Sequence, residues 1–119
     1  KVHIIGNVLV QGTGVGTGIV TDELIVIKDL KDIEPNFVDG KIIVAPYTNN
    51  TVLPMLKRAS AIIVEEAGLD SHAATVGLTL DVPVILGAEN ATKILKTGSV
   101  ITVDAEKGIA YFEKDCRKS

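Results

Sequence analysis

Residues 65–75 read Glu-Glu-Ala-Gly-Leu-Asp-Ser-His-Ala-Ala-Thr and place one of the chain's two histidines beside three carboxylates. Two kinds of chemistry could use such a cluster. An imidazole with carboxylates can ligate a divalent cation. On a strand, however, Glu65 and Glu66 point to opposite faces, so a solvated strand end accounts for them and no metal is expected. The second kind centres on His72. Ser71 is a good helix N-cap, which puts His72 in a first turn where unpaired N–H groups and the positive helix end converge. A neutral imidazole there can attack phosphorus, while Gly68, Ser71 and Ala73 supply the pocket for the acquired anion. Small side chains at Ala73 and Ala74 leave room, and Glu66 and Asp70 would modulate the charge. On the residues alone the plainer reading prevails, a histidine that caps or packs without chemistry. A third reading keeps the same helix mouth as a non-covalent anion or effector site.

Glycines at 12, 14, 16 and 18 alternate in "GTGVGTG". A dinucleotide fingerprint would need glycine where Thr17 stands, and a phosphate loop would need a closing Gly-Lys-Ser/Thr. No helix pattern follows that could aim its N-terminus at a phosphate. The stretch reads instead as a β-bulge or a tight strand crossing that only glycine tolerates.

Holding His72 requires a strand before it and a helix behind it. "SAIIVEEA" (60–67) is a buried-strand pattern, and "HAATVGLTL" (72–80) is a short helix closed by Asp81 and Pro83. Upstream, "KVHII" is a strand followed by a turn at Gly6-Asn7, and residues 8–30 are extended, most clearly over Glu23–Asp29. Residues 31–40 are loop-like. "KIIVAPY" is a strand that Pro46 terminates. Val52, Met55, Leu56 and Ala59 mark the apolar face of a helix over 49–60, with Asn49, Asn50 or Thr51 as N-cap and Pro54 in its first turn. Downstream come the strand "VPVIL", a helix of about two turns over 88–96 capped by Gly98, and a hairpin in which "SVITVD" and "IAYF" flank residues 105–108. Residues 113–119 read as a frayed tail. Val64, Val84 and Ile85 are the expected central strand positions. The whole reads as one α/β domain over 1–119, with a β-rich N-terminal half and an alternating α/β second half.

Composition bounds the function. The chain has 119 residues, 46% hydrophobic and 23% charged, which suits one globular domain. With a net charge of −3 it shows no basic footprint for nucleic acid. Apolar runs such as "AIIV" and "VPVIL" are far too short to span a membrane. The single cysteine, Cys116, excludes a disulfide framework. The chain opens on Lys1 without a signal pattern, which reads as a segment of a longer cytoplasmic protein.

"ASAIIVEEA" followed by "GLDSHAATVGLTLDVPVILG" resembles the phosphohistidine signature of the mobile domain of phosphoenolpyruvate-utilising enzymes. That domain swivels between active sites in pyruvate phosphate dikinase, phosphoenolpyruvate synthase and enzyme I of the sugar phosphotransferase system. The likeness extends over "DGKIIVAPYT" and "GSVITVDAEKGIAYF", most of the chain. It implies the swivelling β/β/α fold and His72 as phosphoryl acceptor. More narrowly, "ENATKILK" and "ITVDAEKG" are similar to the extra C-terminal domain of pyruvate kinases from Bacillus-like and staphylococcal bacteria, and "KVHIIG" resembles the end of the body before it. This resemblance implies that the partner is the remainder of a homotetrameric pyruvate kinase. That parent would use Mg2+ and K+, and this domain would carry no cofactor.

Two positions depart from the phosphocarrier pattern. The family's threonine two residues before the histidine is Asp70, and an anion beside an acquired phosphate is unfavourable by about 1 kcal/mol. Its arginine six residues after the histidine is Leu78, which removes a phosphate-holding cation. The reading is therefore an appended structural or regulatory domain, with an active phosphohistidine carrier and an anion-binding module as alternatives.

Overall fold

Ile42–Ala45, Ala61–Val64 and Val84–Leu86 are aliphatic at every position, so each stretch needs cover on both faces. The computed structural model describes residues 5–32 and 39–113, and in it these three runs are β4, β5 and β6, neighbouring parallel strands. Every one of their residues is buried, and Val64, Val84 and Ile85 are 0% exposed, as expected. The period of two sorts their side chains. Ile43, Ala45, Ile62, Val64, Val84 and Leu86 face one core, shared with α1 (Leu53–Leu56) and α2 (His72–Leu80) through Leu56, Ala73, Ala74 and Val76. Ile42, Val44, Ala61, Ile63 and Ile85 face a second core.

That second core is closed by antiparallel strands. They are β1 (Ile5–Gln11), β3 (Ile19–Val26), β7 (Val100–Asp104) and β8 (Ile109–Glu113), contributing Val10, Leu24, Ile101, Val103 and Ala110. The layers therefore run antiparallel sheet, parallel sheet, helices, which is the β/β/α arrangement. With β2 (Thr13–Val15) the strand order is β1-β8-β7-β3-β4-β5-β6-β2. β3 joins the two sheets, pairing with β7 over 19–23 and with β4 over 24–26. α3 (Ala91–Ile94) seals the second core with Ala91.

The two ends of that order, β1 and β2, are separated in the chain by Gly12 alone, so the ribbon of strands curls round on itself. Gly12 N–H donates to the Gly108 carbonyl at 2.8 Å. A Cβ on Gly12 would overlap the Leu86 carbonyl oxygen, and one on Gly14 would overlap that of Ala105. The alternating glycines are thus a strand crossing, not a phosphate loop.

Several boundaries differ from expectation. β1 runs through Gly6-Asn7 instead of turning there, and a register shift against β8 between Ile5 and Val8 accommodates the pair. Residues 1–4 of the expected first strand and 33–38 of the expected loop lie outside the described residues. The helix expected over 49–60 is a 3-10 turn at Asn50–Val52 plus one turn of α1, because Arg58 and Ala59 close with tight bonds to Met55 and Leu56. α3 is a single turn, since Leu95 goes extended to bury its side chain at 4% exposure. Gly98 does take a left-handed φ of +98°, but in the following turn, where its N–H meets the Leu24 carbonyl and caps no helix. Glu113 ends β8, and the rest of the expected tail, 114–119, lies outside the described residues.

Candidate functional site

Parallel strands end on one edge, and β4, β5 and β6 there release the loops 46–50, 65–71 and 87–90. Crevices outside the carboxyl ends of such strands are where ligand sites form in α/β sheets. Ser71 caps α2 with an extended backbone, and its Oγ accepts the Ala74 N–H at 3.3 Å. A turn feeds the cap: Ser71 N–H donates to the Gly68 carbonyl at 3.2 Å, and Gly68 holds a φ of +115°. The helix ends where Asp81 adopts φ 57°, a left-handed conformation that a short polar side chain tolerates.

His72 is the first residue of α2 and is partly exposed. Its Nδ1 lies 2.8 Å from Thr48 Oγ1, and its Nε2 lies 2.7 Å from Asn50 Oδ1. Thr48 is buried at 4% exposure, whereas Asn50 is exposed. The loop carrying both is braced by Asn49, whose Oδ1 accepts the Thr51 N–H at 3.0 Å. Sequence reasoning missed Thr48 and Asn50 as partners. The signal was there, a polar Thr-Asn-Asn run directly after a buried strand, but it reads locally as a helix cap.

The other expected site residues separate. Gly68, Ser71 and His72 come together at the helix mouth. Ala73 turns its side chain into the core at 0% exposure, so only its backbone N–H belongs to the first turn. Asp70 is exposed immediately before the cap. Glu66 is exposed and is not a ring partner of His72, because both ring nitrogens are engaged by Thr48 and Asn50. Glu65 serves elsewhere: its Oε2 accepts the N–H and the O–H of Thr92 at 2.9 and 2.7 Å, capping α3. Leu78 is 70% exposed and about 9 Å along the helix axis from His72, so its apolar side chain does not touch the ring, whereas a longer cationic side chain there would lean back toward the helix mouth. Among the described residues no group of three or more His, Cys, Asp or Glu could hold a metal ion.

The Thr48 contact has a measurable consequence. Thr48→Val keeps the shape and removes the hydroxyl, leaving Nδ1 facing a buried apolar wall. Stability should fall by about 0.5–1.5 kcal/mol, read by chemical denaturation, with the His72 ring signals broadened in the NMR spectrum. Sharp, unshifted ring signals would show that Thr48 does not hold the ring.

The model of the mobile domain of phosphoenolpyruvate-utilising enzymes matches residues 37–108, a span that contains β4, the helix mouth and the last turn. The chain belongs to this family. A pyruvate kinase of Geobacillus stearothermophilus is 44% identical over 111 residues, covering 93% of this chain and 19% of that protein. A probable phosphoenolpyruvate synthase of Archaeoglobus fulgidus is 42% identical over 106 residues, covering 89% of this chain and 14% of that protein. The matched part of the pyruvate kinases is their C-terminal region. The chain thus spans about a fifth of the length of those relatives. Among solved structures, aconitase X of Thermococcus kodakaraensis matches with a TM-score of 0.69 and 26% identity, covering 88% of this chain and 98% of that chain. An enzyme I solution structure shares the fold, with a TM-score of 0.58 at 19% identity over 71% of this chain and 36% of that one. The mobile-domain fold expected from the sequence is the one present, with His72 at the mouth of its nine-residue helix.

Proposed function

We propose that residues 1–119 form one mobile-type domain appended to a pyruvate kinase, where it serves structure or regulation and does not carry phosphate. The observation that supports this best is the state of His72. Both ring nitrogens are hydrogen-bonded, to Thr48 and Asn50, and neither partner is a cation that would favour a phosphoryl group. Asp70 adds a carboxylate at the mouth, and Leu78 stands exposed where the resembled carriers have arginine. The helix N-terminus favours an anion by only about 0.3–1 kcal/mol, too little to offset both changes.

In this reading the parent enzyme moves a phosphoryl group from phosphoenolpyruvate to ADP in the cytoplasm, as a homotetramer. Its Mg2+ and K+ would sit with the catalytic machinery outside this chain. A second reading, an active phosphohistidine carrier, draws on the likeness to the probable phosphoenolpyruvate synthase.

Phosphate uptake separates the two. The chain, incubated with phosphoenolpyruvate alone and with its parent enzyme, should gain little or no phosphate by mass spectrometry under alkaline conditions that preserve phosphohistidine. Asp70→Thr with Leu78→Arg should raise any residual signal, and His72→Ala should remove it. Stoichiometric phosphate on wild-type His72 would promote the carrier instead.

A further inference from the structure

A carboxamide oxygen has no proton to give. With Asn50 Oδ1 at 2.7 Å from Nε2, the proton in that hydrogen bond must come from the ring. A neutral His72 then carries its hydrogen on Nε2 and accepts the Thr48 hydroxyl proton at Nδ1, 2.8 Å away. A charged ring carries a proton on Nε2 as well. The only lone pair the ring can offer therefore points inward, against a threonine that is 4% exposed. The outward nitrogen, the one on the exposed side, has none.

We infer that Asn50 is a positioning residue that latches His72 in the Nε2–H tautomer and so withholds the solvent-facing nitrogen from electrophiles. The latch is local and reversible, because Asn50 is exposed and lies in a 3-10 turn on a separate loop from His72. Rotating the carboxamide away frees the ring to place its proton on Nδ1, donating to Thr48 Oγ1, which leaves an outward lone pair on Nε2. Thr48 accommodates either arrangement, since a hydroxyl both donates and accepts. Asn50 does so only by turning its carboxamide over to present Nδ2, so with Oδ1 facing the ring it is the group that sets the tautomer. The inference deepens the non-carrier reading and rests on it for its biological meaning.

Diethyl pyrocarbonate tests the latch without phosphoenolpyruvate. In this probe reaction Nε2 attacks a carbonyl carbon, ethyl carbonate departs, and the proton on Nδ1 is lost to water. The 119-residue chain in a His3→Gln background reports on His72 alone through absorbance at the wavelength of carbethoxyhistidine. Asn50→Ala should react about 3- to 10-fold faster than the wild type, the factor by which one net hydrogen bond biases an equilibrium. Asn50→Asp keeps an oxygen acceptor and should stay as slow as the wild type. Nitrogen-15 shifts should show the proton on Nε2 in the unsubstituted chain and a larger share of it on Nδ1 in Asn50→Ala, a change that reports on the carboxamide itself. A wild-type ring protonated on Nδ1, or equal reactivity of wild type and Asn50→Ala, would overturn the latch. Stoichiometric phosphate uptake from phosphoenolpyruvate would instead sink the non-carrier reading while leaving the tautomer result standing.

Discussion

Gly14→Ala should remove a large share of the chain's stability, about 3 kcal/mol or more of the roughly 5–15 kcal/mol that holds a small domain together. The added Cβ would overlap the carbonyl oxygen of Ala105, a backbone atom in the turn between β7 and β8. A flexible side chain could swing aside. A carbonyl cannot, because the same turn is pinned by the Gly108 N–H to the Asp104 carbonyl and by Gly12 to Gly108. The crossing must open, or the turn must break. Gly18→Ala supplies the contrast, since nothing lies within 4 Å of its Cβ position and only the φ of +107° resists the substitution. That change should cost about 1–3 kcal/mol. Urea denaturation of the three chains measures the difference, and a Gly14→Ala midpoint equal to wild type would mean the crossing is not as tight as described.

Leu56→Ala should also be strongly destabilising, at about 2–5 kcal/mol. Leu56 closes α1 at 0% exposure and packs in the helix-side core. One turn of helix gives little room for the neighbours to collapse into the space left behind. The loss should also reach the site, because α1 follows directly on the 3-10 turn that presents Asn50 to His72. The expected result is a lower melting temperature together with faster carbethoxylation of His72. Full stability in Leu56→Ala would show that α1 is not an anchor for this loop.

Much of this was legible in the sequence. The three aliphatic runs announced strands, with residues 60–67 as a buried one, and Ser71 before His72 announced the helix mouth, because both signals are local: strand pattern and N-capping are written in adjacent residues. The resemblance of residues 59–87 supplied the fold that layered them. What stayed hidden depended on distance along the chain. Thr48 and Asn50 reach His72 across 24 and 22 residues, and no periodicity encodes such a meeting. Glu65 looked like part of the histidine cluster, yet its carboxylate answers the unpaired N–H of Thr92, which only the folded sheet brings near. Leu78 entered through the resemblance, as the place of an absent arginine, and its side chain stands in solvent at 70% exposure. The two-turn helix over 88–96 failed for a related reason: burying Leu95 in the second core outweighed continuing a helix that its own sequence would allow.

The pairing of β1 with β8 sets a limit on how this polypeptide can be made. The first described strand lines up against the last, Ile5 beside Glu113, so all the residues between them must be synthesised before that ladder can form. On the ribosome the parallel strands and their helices emerge earlier and can gather around the helix-side core. Their other face, with Ile42, Val44, Ile63 and Ile85, stays uncovered until β7 and β8 clear the exit tunnel. Closure is thus a late event with a high loop-entropy barrier, of the kind that slows folding in proteins dominated by non-local pairing. A chain stopped short of residue 109 would keep an aliphatic sheet face open to water, and the cell would meet it as a substrate for chaperones and proteases.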